Sequence, residues 1–307
     1  MITSFFNKSK PINFVIVFFV TLLAFLIARI ELKNEVVTAQ FFLKQTALFL
    51  IAIVSILLLN FIVSKNSLTK KNNYEILLFS LFLLTITQTT KNSDILLANF
   101  FVLLGLRRIV SIRSQRDVKK KLFDAAFWVA VASLFYFWSI LFFILIVLSL
   151  VLYSDNNIRH WIVPFLGLIT VFVISVGASI VLYDSFFGLF KTSFQISYDF
   201  SSYNSAKYLI AITMLISFGI WSSIFYLQNI KKKKKAFRAS YKTVILAAVL
   251  AFFIVLIVPE KKGSEFLFLF APLAIIITNY IEIIQEKWFK EIFVSMLIIV
   301  PFLLLLL

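Results

Sequence analysis

The feature that most constrains this chain is a succession of eleven apolar stretches with little sequence between them: residues 11–28, 42–63, 74–90, 95–106, 122–137, 138–153, 161–183, 206–228, 243–259, 265–281 and 291–307. A helix needs about 20 apolar residues to cover the hydrocarbon core of a bilayer. The stretches therefore predict an all-α polytopic transmembrane helix bundle of about eleven spans, with residues 1–307 forming a single integral membrane domain. The stretch 95–106 is short for a crossing by itself. Residues 122–153 read as a hairpin of two short helices turning at FYFWS, because Tyr136, Trp138 and Ser139 suit the headgroup level. The N-terminal run MITSFFNKSKPINFVIVFFVTLLAFLIARI has no small-residue cleavage pattern and reads as a retained first span.

Charge gives the orientation. Hydrophobic residues make up 62% of the chain and charged ones only 14%, yet the formal charge is +16, so Lys and Arg are concentrated in the few polar segments. With the N-terminus cytoplasmic and eleven crossings, 22 of the 30 Lys and Arg fall on the cytoplasmic side, and the C-terminus emerges on the other. Topology follows this bias rather than net charge. The runs RRIVSIRSQRDVKKK (107–121) and KKKKKAFR (231–238) lie on that side, each too short to form a domain. They read as topology determinants that touch anionic headgroups, not as a nucleic-acid surface, which would spread its basic residues over a soluble domain.

The chain has no Cys and one His, His160, which excludes thiolate metal sites and a His cluster. No metal site is evident, and a divalent cation would need carboxylates. Candidate chemistry therefore rests on polar residues near the outer ends of spans. The first outer loop, ARIELKNEVVTAQ, carries Glu31 and Glu35, which one helical turn would place on a common face. Such a pair can act as a general base or hold a divalent cation; the plainer reading is an interfacial helix with Arg29, Glu31, Lys33 and Glu35 in surface pairs. A second outer turn offers Lys91 and Asp94. In VPEKKGSEFLFLF, Pro259 ends one helix and a charged turn opens the next. Gly263 or Ser264 would cap that helix, and its positive end, with Lys261 and Lys262, would favour a phosphate. These two Lys stand on the side otherwise poor in basic residues. Asp124 reads as an acid favourable at a helix start and paired with the preceding Lys residues.

The layout resembles the GT-C superfamily of polyprenyl-phosphate-dependent glycosyltransferases: a cytoplasmic N-terminus, an acidic first outer loop, and short paired spans such as FDAAFWVAVASLFYFWSILFFILIVLSLVLY. Near the end, GSEFLFLFAPLAIIITNY resembles the late helix start of those enzymes, with Pro272 at the matching proline, although Glu265 and Phe266 stand where they carry Arg-Tyr and Glu31 and Glu35 where they carry Asp. MITSFFNKSKPINF, LRRIVSIRS and KKKLFDAAFWVAVASLFYFW also resemble an uncharacterised multi-pass inner-membrane family of Bacteroidota. Some of its members are labelled carotene oxygenases, whose iron chemistry needs four His ligands. The resemblances imply a bacterial inner-membrane protein, periplasmic at its C-terminus, that handles a lipid-linked envelope precursor. The implied reaction is glycosyl transfer from a polyprenyl-phosphate lipid, with Glu31 or Glu35 as base and Lys261, Lys262 and Ser264 on the phosphate. The alternative is a non-catalytic membrane subunit of an envelope assembly, secretion or motility complex, partnered by other membrane subunits. A transporter fits less well, since most spans lack mid-membrane charge and no inverted repeat is evident.

Overall fold

A computed structural model describes residues 2–30, 38–153, 157–190 and 195–306. Among these residues the helices are α1 (Ile2–Phe6), α2 (Pro11–Ile30), α3 (Ala39–Asn66), α4 (Tyr74–Thr85), α5 (Ser93–Val110), α6 (Val118–Phe135), α7 (Phe142–Leu152), α8 (Ile158–Tyr183), α9 (Ala206–Ile230), α10 (Lys235–Ile257), α11 (Leu267–Ile283) and α12 (Lys287–Leu303). Every apolar stretch falls on one of these helices or on a helix joined to a 3-10 turn. Among the described residues, seven segments are long and apolar enough to cross a membrane: Pro11–Ile30, Ala39–Asn66, Ser93–Ser114, Ile158–Tyr183, Ala206–Ile230, Lys235–Ile257 and Ser264–Ile283. The short stretch 95–106 belongs to the third of these because the helix runs on through Arg107 and Arg108. Arg is a strong helix former, so apolarity alone underestimates the length.

The chain divides into two compact units. The first comprises Met1–Leu96, Asp199–Lys232 and Glu260–Leu307. Its core is α4 and α11. All residues of α4, YEILLFSLFLLT, are buried, as are Leu267–Ile281 of α11. A helix apolar on every face belongs inside a protein or a membrane, and here Phe270 of α11 meets Phe79 and Phe82 of α4, with ring centroids 6.2 and 5.6 Å apart. α4 and the 3-10 turn Thr87–Thr90 run beside α2 along its length: the Asn73 amide donates to the Phe6 carbonyl at one end (3.1 Å), and Arg29 bonds the Thr90 carbonyl at the other (2.9 Å). The two ends of this pairing are thus a Phe6 end and an Arg29 end.

The second unit comprises Leu97–Tyr198 and Lys233–Pro259. α6 turns at Tyr136, whose backbone is extended, into the 3-10 turn Phe137–Leu141 and then α7, so FYFWS is the corner of the hairpin. α8 lies on α6 along a stripe of buried Pro164, Gly167, Val171, Ser175 and Ser179. Approach is closest at Gly167, where a β-carbon would lie 2.8 Å from the Phe123 carbonyl oxygen and 2.9 Å from the Ala126 β-carbon. Small residues at three- and four-residue spacing permit such contacts between membrane helices. Asp124 pairs with Arg108 at 2.8 Å rather than with the Lys residues before it.

Candidate functional site

The polar residues of the Arg29 end of the first unit gather around the turn Thr87–Thr90. Gly263 approaches it so closely that a β-carbon there would meet Ile86 at 3.2 Å and the Tyr208 ring at 2.9 Å. Its φ of +87° is in the left-handed region, which a side chain would strain. The chain thus folds back against Ile86 at the one residue that tolerates both demands.

On one side of the turn is Arg29, at the C-terminal end of α2. Its Nε donates to Gln45 Oε1 (2.5 Å), Nη1 to the Phe25 carbonyl (3.1 Å) and Thr90 Oγ1 (3.3 Å), and Nη2 to the Thr90 carbonyl (2.9 Å). The guanidinium lies 3.2 Å from the centroid of the Phe25 ring. These acceptors are all neutral. Among the described residues, the positive charge is therefore fixed in orientation but not neutralised by a carboxylate.

On the other side, the turn Glu260–Phe266 holds an internal anion. Glu265 is fully buried; its carboxylate accepts from the Tyr203 hydroxyl and from the Gly263 amide at 3.0 Å. Free amides at a helix start favour an anion, and here a side chain of the chain itself takes that place. Ser264 is buried and contacts Glu265 Oε2 at 3.5 Å, without capping the helix.

The neighbours Lys261 and Lys262 have opposite environments. Lys261 is 3% exposed, with its ammonium 4.7 Å from the centroid of the Phe200 ring. Burial lowers its pKa below the ordinary lysine value, and the carboxylate of Asp199 opposes that shift. Lys262 is exposed and pairs with Glu260 at 2.6 Å, while its carbonyl accepts from the Tyr208 hydroxyl at 3.1 Å. The hydrogen bond and charge of Lys262 hold the Glu260 carboxyl below its ordinary range. Lys261, Lys262 and Ser264 thus share one turn, whereas Glu31 and Glu35 lie outside the described residues.

Arg29, Tyr203 and Glu265 are the residues that sequence reasoning did not single out. An Arg closing an apolar span and a Glu opening one were the available signals, since ionisable groups at those depths are costly without partners. Among the described residues no group of three or more His, Cys, Asp or Glu side chains is arranged to hold a metal.

Comparison with known proteins gives one assignment. A family described as one of unknown function, DUF6427, matches residues 5–306. No curated protein and no solved structure matches the chain.

Proposed function

The chain belongs to the DUF6427 family, and from that premise and the chemistry of the Arg29 end we propose that it handles the phosphate of a lipid-linked envelope precursor in a bacterial inner membrane. The observation that carries the reading is Arg29: an oriented guanidinium at the end of an apolar helix whose hydrogen bonds among the described residues all go to neutral oxygens. A planar, always charged donor set of this kind suits a phosphate. The bilayer supplies phosphates at the ends of membrane helices, and Lys261, held over Phe200 in the same unit, adds a second cation. A polyprenyl-phosphate lipid meets these demands, its chain lying along apolar helices and its phosphate at Arg29.

Glycosyl transfer from that lipid, on a GT-C-like layout, is the catalytic form of the proposal, with Glu31 or Glu35 as the base. The second reading, a non-catalytic membrane subunit, draws support from the described carboxylates of this end. Glu265 is engaged by Tyr203 and Gly263, Glu260 by Lys262, and Asp199 by the Ser201 amide at 2.9 Å. Each already serves the local fold, and the catalytic form rests on Glu31 or Glu35 as the base.

Photo-crosslinking separates the readings. A short polyprenyl phosphate carrying a photoreactive group should label the purified chain near Arg29, and Arg29→Gln should reduce labelling about tenfold, the worth of a charge-assisted hydrogen bond pair. Unchanged labelling of Arg29→Gln would remove the phosphate site. If labelling persists while Glu31→Gln and Glu35→Gln leave cellular function intact, the subunit reading stands in place of transfer.

A further inference from the structure

The two basic runs of the sequence meet in the second unit. Seven of the fifteen residues 107–121 are Lys or Arg, as are five of the ten residues 233–242, against a single acid, Asp117, in the two together. They are joined at the 3-10 turn Ser111–Ser114 and the start of α10. The Arg113 guanidinium lies 3.9 Å from the centroid of the Phe237 ring. The Ser240 hydroxyl is 3.4 Å from the Val110 carbonyl and 3.0 Å from the Tyr153 hydroxyl. Charges that only set topology act by number and need no such joint.

Hydrogen bonding distinguishes Arg113 from its neighbours. Arg108 is neutralised by Asp124 at 2.8 Å, and the Lys121 ammonium donates to the Ser111 carbonyl (2.8 Å) and Ser114 Oγ (2.6 Å). Arg113 Nη1 is shut away from solvent with no hydrogen-bond partner among the described residues, although the side chain as a whole is only half-buried. A buried donor left unmet is costly to the fold. The rest of the guanidinium is not enclosed in this way, and an oxyanion arriving at its exposed edge would meet the outward donors of the fork that Arg presents to phosphates. Both partners also sit at span ends: Arg113 closes Ser93–Ser114 and Phe237 opens Lys235–Ile257, which is headgroup depth. Shortly after Arg113 in the chain, Gln115, Asp117, Val118, Lys119 and Lys120 line, with His160, a groove of about 400 Å³.

We infer that the joint of Ser111–Ser114 with the start of α10 is a binding site for the phosphate headgroup of an anionic phospholipid, with Arg113 on Phe237 as its clamp and the flanking Lys residues as its attracting field. This site is separate from the Arg29 residues and does not depend on the function proposed for them. The two runs then act together as one lipid site rather than as two separate anchors.

The test compares equal losses of charge. The full chain is reconstituted in nanodiscs of phosphatidylcholine with or without phosphatidylglycerol, and the rise in melting temperature caused by phosphatidylglycerol is titrated. The wild type should be stabilised, Arg113→Gln should need about tenfold more phosphatidylglycerol for the same rise, and Arg116→Gln, which removes an exposed charge, should behave as the wild type. Arg113→Lys keeps the charge without the fork and should fall between them. A melting temperature in pure phosphatidylcholine close to that of the wild type establishes that each variant is folded. Equal behaviour of Arg113→Gln and Arg116→Gln would overturn the site in favour of general attraction to a charged surface. Equal stabilisation by inorganic phosphate in pure phosphatidylcholine would overturn the lipid as its ligand.

Discussion

Helices α8 and α11 are both apolar enough to cross a membrane, yet 22% of the α8 window is buried within the protein against 89% of the α11 window. α8 buries only the stripe from Pro164 to Ser179 and exposes Val173, Ile174 and Val181. In α11 every face is covered from Leu267 to Ile281, and polar residues are enclosed with the rest: the Asn279 amide group donates to the carbonyls of Leu68 and Ile275, both at 2.9 Å. Apolar content measures compatibility with lipid and is silent about what covers the helix. The spacing of small residues and the presence of a partnered amide separate the two cases.

Truncating a large side chain in each helix puts the contrast under the greatest strain. Phe270→Ala, at a fully buried position between Phe79 and Phe82, should cost about 3–5 kcal/mol. Val173→Ala, on the exposed face of α8, should stay within about 0.5 kcal/mol. Both are read as thermal unfolding in mild detergent, and similar losses would erase the distinction. Within α8 the two glycines sharpen it further. Gly167→Val drives a side chain into Phe123 and Ala126 and should destabilise by about 1–3 kcal/mol. A β-carbon added at Gly177 would meet nothing within 4 Å, so Gly177→Ala should be neutral or stabilise by up to about 1 kcal/mol. Asn279→Ala deprives the Leu68 carbonyl of a donor and should cost about 1 kcal/mol. Faster amide exchange at Leu68 and its neighbours would locate that loss, and unaltered exchange would contradict the partnership.

Much of this fold can be read from apolar runs and their punctuation. The corner at Tyr136, the end of α10 before Pro259 and the helical character of each run follow from residue types alone. Lengths are less legible where a helix continues through Arg107 and Arg108, because the helix is favoured by residues that lipid disfavours. The candidate site is less legible again. Lys261 and Lys262 are adjacent and chemically alike, but the left-handed Gly263 and the ring of Phe200, 61 residues away in sequence, determine that only the first is buried. Glu265 reads as one charged residue of the turn that opens a helix until Tyr203 closes over it. Arg29 reads as half of a surface pair until Thr90 and Gln45 surround it. These meetings depend on tertiary contacts between segments remote in sequence, which periodicity does not encode.

The orientation expected from the distribution of Lys and Arg puts Lys91 and Arg116 on opposite sides of the membrane. Because the chain contains no Cys, single substitutions give a background-free test with a membrane-impermeant thiol reagent. Lys91→Cys should be labelled in intact spheroplasts and Arg116→Cys only after the membrane is opened. Labelling of both positions from the same side would contradict that orientation.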